Sequence, residues 1–222
     1  MNKMRAAPVL LLLALVGCKS SSGVDQSEAA AQSMRDLKQG LNDAPDKINA
    51  VTSSLEDLVK GGGDMKAEFQ KYSENVDAVV AHREKLRALR QQVEDSKKVF
   101  AEAWEKRLAN IKSEDMRKQA EERRNAVVAK FNDLSKVADA GREEFEPWIT
   151  TVIDVRTYLE SDLNETGVKS MSGQVSKIKN GAASVNKKIS TVVKGLDDMA
   201  QTIAATKPPE PPAGAEASGN KK

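Results

Sequence analysis

The chain has 222 residues, with 35 Lys and Arg against 33 Asp and Glu, one His, one Cys and only 4% aromatic residues. A net charge of +2, with both signs mixed throughout, excludes the strongly basic surface that a protein tracking phosphate backbones needs. A single histidine and a single cysteine exclude multi-histidine metal sites, paired Glu-x-x-His sites and an internal disulfide, so no cofactor is expected.

In chain order, the first feature is a basic start, Lys3 and Arg5 without acid, followed by an apolar block from Pro8 to Val16 and then Gly17 and Cys18. That is the order of parts in a secretory signal. The block is far shorter than the ~20 apolar residues that span a bilayer, and Lys19-Ser20-Ser21-Ser22-Gly23 is a polar, flexible exit. Leu15-Val16-Gly17-Cys18 resembles the lipobox of bacterial lipoproteins. The resemblance implies removal of residues 1–17, a thioether-linked diacylglycerol on Cys18 and an acyl chain such as palmitate on its new amino group. Several chains anchor stably where one holds only marginally. The alternative is an ordinary signal with an incidental cysteine. Lys19, in place of an Asp, points by the same resemblance to the periplasmic face of the outer membrane. Cleavage would leave 33 basic residues, equal to the acidic ones.

Four ladders of apolar residues in alternating steps of three and four follow. The first reads Met34, Leu37, Leu41, Ala44, Ile48, Val51, Leu55, Leu58, and predicts a helix over about 26–60. The second runs from Met65 through Tyr72, Val79, Leu86, Val93, Phe100 and Trp104 to Ile111, over about 64–111, with basic rungs at Arg83, Arg90, Lys97 and Arg107. The third, over about 114–162, holds Val127, Phe131, Leu134, Ala138, Gly141, Phe145, Trp148, Val152, Val155 and Leu159. The fourth, over about 169–205, runs from Met171 through Ile178, Val185, Val192 and Leu196 to Ile203. Each ladder keeps one apolar stripe facing a partner, as coiled coils and bundles require. Gly61-Gly62-Gly63-Asp64, Ser113 to Met116 and Asn164 to Gly167 supply the turns and caps between them. Short connections make successive helices antiparallel neighbours. The expected fold is all-α, an elongated antiparallel four-helix bundle spanning 26–206. Pro45 and Pro147 should kink their helices.

At 1.5 Å per residue the outer helices should be ~54 Å long and the middle two ~72 Å. The central hairpin therefore overhangs. Its tip, around Trp104 to Arg124, should lie at the end where the first helix starts, and a flexible 18–25 leader of ~25 Å could bring that tip towards a bilayer. The segment 207–222, rich in Pro, Gly and Ala, lacks the apolar residues of a core and reads as a disordered tail.

The stretches "FAEAWEKRLANI" (Phe100 to Ile111), "RKQAEERRNAVVAKFNDL" (Arg117 to Leu134) and "EFEPWITTVIDVRTYLESDLNETGVKSM" (Glu144 to Met171) carry a family resemblance. From about Leu58 to Ile203 the chain resembles a family of bacterial envelope proteins classed as a domain of unknown function and read as coiled-coil lipoproteins. The resemblance implies an envelope location and an all-helical rod. It brings no activity with it.

Candidate sites are few. His82, between Ala81 and Arg83 in a charged helix, is expected to face solvent. Gly61 to Gly63 is an interhelical turn with no strand to make it a phosphate cradle, and Glu121/Glu122 and Glu143/Glu144 read as solvated helix faces. Arg83, Arg90 and Lys97 occupy three successive equivalent rungs. In one arrangement the stripe rotates so that Leu86, Leu89 and Val93 pack while the charged heads reach water. In the other the three form a polar layer that fixes register, with Arg83 passing Gly141 to reach Asp139 or Glu143. Between Glu105 and Arg124 seven basic residues face five acidic ones, too mixed for a polybasic lipid patch. Val80, Leu89, Ile149 and Ile153 are left to complete the core or to make a homo-oligomer.

No enzyme signature is present, and the expected function is a lipid-anchored, non-enzymatic envelope scaffold or protein-binding rod. Its partners would be membrane lipid through acylated Cys18 and an envelope protein, with no nucleic acid. The alternative is a membrane-acting, pore-forming helical protein, which needs a longer apolar segment than any in the mature chain.

Overall fold

The computed structural model describes residues 23–205. The signal segment 1–17, Cys18 and most of its tether, and the tail 207–222 lie outside the described residues. Six helices follow in order: α1 (Gly23–Asn42), α2 (Ala44–Lys60), α3 (Met65–Leu108), α4 (Glu114–Ser161), α5 (Glu165–Ser170) and α6 (Ser172–Ala205). They make four antiparallel rods, since α2 continues α1 and α5 leads into α6. The α1–α2 rod packs on α3, α3 on α4, α4 on α6, and α6 back on α1 and α2, which closes the bundle. No strand occurs among the described residues.

The ladders are the core. Ile48, Val51, Leu55 and Leu58 of α2 meet Tyr72, Val76 and Val79 of α3, Val152 and Leu159 of α4, and Ile178 and Val185 of α6 in one buried cluster. A second joins Met34 and Leu37 of α1 to Val93, Phe100, Trp104, Val127, Phe131, Leu196, Met199 and Ile203. Of the four residues left over by the ladders, Ile149 belongs to the first cluster and Val80 and Ile153 pack against it, while Leu89 packs against the second. Tyr72 is fully buried and donates its hydroxyl to the Val152 carbonyl at 2.8 Å. Burial pushes its phenol well above the usual range, although the nearby Arg156 charge opposes the shift.

The ends of the helices follow local chemistry. Asp64 caps α3 by accepting from the backbone N–H groups of Lys66 and Ala67, Ser113 accepts from Met116 to open α4, and Asn164 accepts from Gly167 to open α5. The α2–α3 turn uses positive φ at Gly61 (69°) and Gly62 (105°), where a side chain would be strained. The helix starts at Gly23, before the expected boundary at 26.

The two internal prolines behave differently. Pro45 sits in the first turn of α2, and the rod changes helix at Asp43, which stays near helical geometry (φ −80°, ψ −15°) and still bonds Gln39 at 3.3 Å. Pro147 leaves α4 unbroken. It is exposed, as is Glu143 one turn earlier, so the Glu143 carbonyl that proline cannot serve lies on a face open to water. The fourth rod is interrupted at Met171, where the chain passes from α5 to α6.

Candidate functional site

The α3–α4 seam is built from the basic rungs. Arg83 donates through Nη2 and Nε to the two carboxylate oxygens of Glu146, and Arg87 reaches Glu146 Oε1 at 3.3 Å. Arg90 Nη2 lies 2.9 Å from Asp139 Oδ1, and Lys97 Nζ lies 3.5 Å from Asn132 Oδ1 and 3.5 Å from Glu94. The pairs keep a common register. A step of seven from Arg83 to Arg90 on α3 is matched by a step of seven back from Glu146 to Asp139 on α4, and Lys97 with Asn132 repeats it. Arg83 is thus a half-buried, paired residue, with its side chain 23% exposed.

Two details differ from expectation. The partner of Arg83 is Glu146, one turn beyond Glu143 and one heptad beyond Asp139, the two partners expected; Asp139 instead answers Arg90. The pairs Arg83–Glu146, Arg90–Asp139 and Glu105–Arg124 are all centred between residues 114 and 115, on the α4 side of the 109–113 connection. His82 faces inward instead of into solvent: it is buried, and its Nε2 lies 2.9 Å from the Gly40 carbonyl. A carbonyl cannot donate, so that nitrogen carries the proton. The antiparallel α1 brings Gly40 over this rung, and its missing Cβ gives Leu86 and Leu89 room, since an added one would lie 2.9 Å from each.

Behind the seam the two core clusters are separated by a waist. Its ladder positions, Leu41, Leu86, Ala138, Gly141, Phe145 and Ile189, are only partly buried. They line a partly open apolar cavity of about 170 Å³, with Arg83, Arg87, Arg90, Arg142 and Glu146 also on its wall. Gly141 therefore lines a space. A Cβ there would meet Val192 Cγ2 at 3.7 Å and Lys188 Cβ at 3.8 Å, both ordinary contacts. Gly181 differs, because a Cβ would come within 2.8 Å of Trp148 Cδ1.

The third feature is the hairpin end. From the His82–Gly40 contact, seventeen residues back along α1 bring Gly23 level with about Val99 on α3. At the other side Lys130 Nζ bonds Thr202 Oγ1 at 2.8 Å, so α6 ends near the level of Val127. The last turns of α3 and the first turns of α4 extend past both by roughly 13–20 Å at 1.5 Å per residue. The projection is sealed internally. Phe100 and Trp104 pack edge to face at 5.3 Å, Phe131 lies 6.4 Å from Phe100, and Leu108 and Ala120 are buried. Arg124 pairs with Glu105 across it. Met116, 63% exposed, lies on its outside and Val99, 50% exposed, at its base; Tyr158, near the opposite end, is 40% exposed.

The described residues hold no group of three or more His, Cys, Asp or Glu side chains placed to bind a metal ion, and none of their helices is long and apolar enough to cross a membrane. An antiparallel helical bundle with a charged seam and a projecting hairpin is the class that these features define. The chain belongs to the family described as "Protein of unknown function (DUF2959)", which it matches over residues 16–205. The match takes in the whole bundle, including α1 and α2 ahead of the segment that carries the resemblance. No curated protein and no solved structure matches the chain.

Proposed function

We propose that the protein is a lipid-anchored, non-enzymatic helical rod of the bacterial envelope, held through Cys18 to the periplasmic face of the outer membrane, which offers its α3–α4 hairpin to an envelope protein. The observation that carries this reading is the position of the overhang. The hairpin projects from the end at which α1 begins, the end nearest the proposed anchor, and it bears two exposed apolar side chains, Val99 and Met116. Exposed apolar groups ringed by charge suit a protein contact better than a lipid patch, which calls for an excess of basic residues.

The anchor and the contact are tested separately. Cells fed labelled palmitate should incorporate it into the chain and lose that label with Cys18→Ser; an unlabelled wild-type chain would remove the anchor from the account. A photo-cross-linking residue at Val99 or Met116 should give a discrete protein adduct in cells. Absence of an adduct from both positions, together with an unaltered envelope on deletion, would count against the contact.

A further inference from the structure

We propose that the waist cavity is a binding site for a small amphipathic anion, an apolar group of six to eight carbons that carries one carboxylate. The cavity is lined almost wholly by apolar atoms, among them Leu41, Phe145 and Ile189, and holds about 170 Å³. Apolar space of ~150 Å³ accepts a benzene-sized guest, and this one is partly open to solvent, so it suits a short hydrocarbon whose polar end stays wet.

The wall also selects the charge of the guest. Five basic residues, Lys47, Arg83, Arg87, Arg90 and Arg142, and one acidic residue, Glu146, contribute to the wall, which they line mainly with their aliphatic stems, so that their charged heads lie at its rim. Glu146 is shared by Arg83 and Arg87, and Asp139 by Arg90 and Arg142, the latter at 3.5 Å. Arg87 also pairs with Glu84 at 3.0 Å, but a guanidinium has five N–H donors in a fork that fits a carboxylate, so these three carboxylates leave donors for another. The arginine side chains grade from 23% exposed at Arg83 to 55% at Arg142, which sets their heads between the apolar interior and water. A guest would bury its hydrocarbon at the waist with its carboxylate among these heads.

The space is also not forced by the packing. Gly141 lies mid-helix, where glycine is disfavoured, and a Cβ there meets only ordinary contacts. Ala138, one turn away on the same ladder, is likewise small. Nothing in helix approach requires glycine at 141, whereas a side chain of any size would occupy the cavity.

The test uses the full chain carrying Cys18→Ser, so that neither an acyl group nor detergent competes. Calorimetric titration with octanoate should give saturable one-to-one binding. Butyrate, too short to fill the space, and octanol, which lacks the charge, should each bind about tenfold more weakly or worse. Gly141→Leu and Ala138→Leu should each weaken octanoate by about tenfold or more while the helical circular-dichroism signal is kept. Should either variant fail to fold, methyl NMR of the unsubstituted chain decides: octanoate should shift Leu41 and Ile189. No saturable binding, octanol equal to octanoate, binding untouched by both folded variants, or shifts confined to methyls away from the waist would each overturn the proposal.

Discussion

At the scale of single residues, two glycines on facing helices make opposite demands. Gly181 lets α6 approach the buried Trp148, whose indole N–H donates to the Ile178 carbonyl at 3.0 Å. Gly181→Ala should cost roughly 1–3 kcal/mol, because the ring cannot retreat without losing that bond. Gly141→Ala should be neutral or stabilise by up to about 1 kcal/mol, because the new methyl makes only ordinary van der Waals contacts with Val192 and Lys188 and the helix gains propensity. Urea melts of the pair read both signs. Tyr72 supplies a pH test. Its phenol is raised in the folded state, so the neutral form is favoured there; its share of stability is complete below the ordinary tyrosine range and falls as pH rises above about 10. Tyr72→Phe should lose about 1 kcal/mol at neutral pH, with the hydrogen bond to Val152, and should show a shallower alkaline decline than the wild type. An identical slope in both proteins would remove Tyr72 from the account. Neither the roles of the glycines nor the burial of His82 could be read from the sequence. Each depends on which residue of another helix lies opposite, and local composition does not carry that.

At the scale of elements, the sequence was more legible. Steps of three and four located all four rods, and Asp64, Ser113 and Asn164 stand at helix starts where short polar side chains can accept backbone N–H groups. Asp64→Ala should cost about 1 kcal/mol in a thermal melt, since two N–H groups lose their acceptor. The seam between α3 and α4 was legible as a set of basic rungs but not as pairs. Pairing needs the exact length of the connection, and an error there of a few residues moves every partner by a heptad. Arg83 and Glu146 are partly shielded, so a double-mutant cycle with Arg83→Met and Glu146→Gln should show coupling of about 1 kcal/mol. The more exposed Lys136–Asp133 pair should show almost none. Equal couplings would mean that the seam fixes register no better than any surface pair. Pro45 and Pro147 show the same limit. Both interrupt a backbone hydrogen bond, yet one coincides with a change of helix and the other lies within an unbroken one.

At the scale of the whole molecule, the lengths of the rods determine the shape. Unequal helices in an antiparallel bundle must leave one hairpin projecting, and chain order puts that hairpin at the end where α1 begins. This was legible because helix length follows from residue count. The waist cavity was not, since a volume is the sum of what four helices fail to fill. The central claim is that the projecting end, and not the rod as a whole, makes the envelope contact. The most direct measurement places the same photo-cross-linking residue at Met116, on the hairpin, and at Tyr158, the exposed aromatic near the opposite end, and compares adducts in living cells. The account predicts a discrete adduct from Met116 that is lost with Cys18→Ser and absent from Tyr158. Adducts of equal yield from both positions, or from Tyr158 alone, would contradict it.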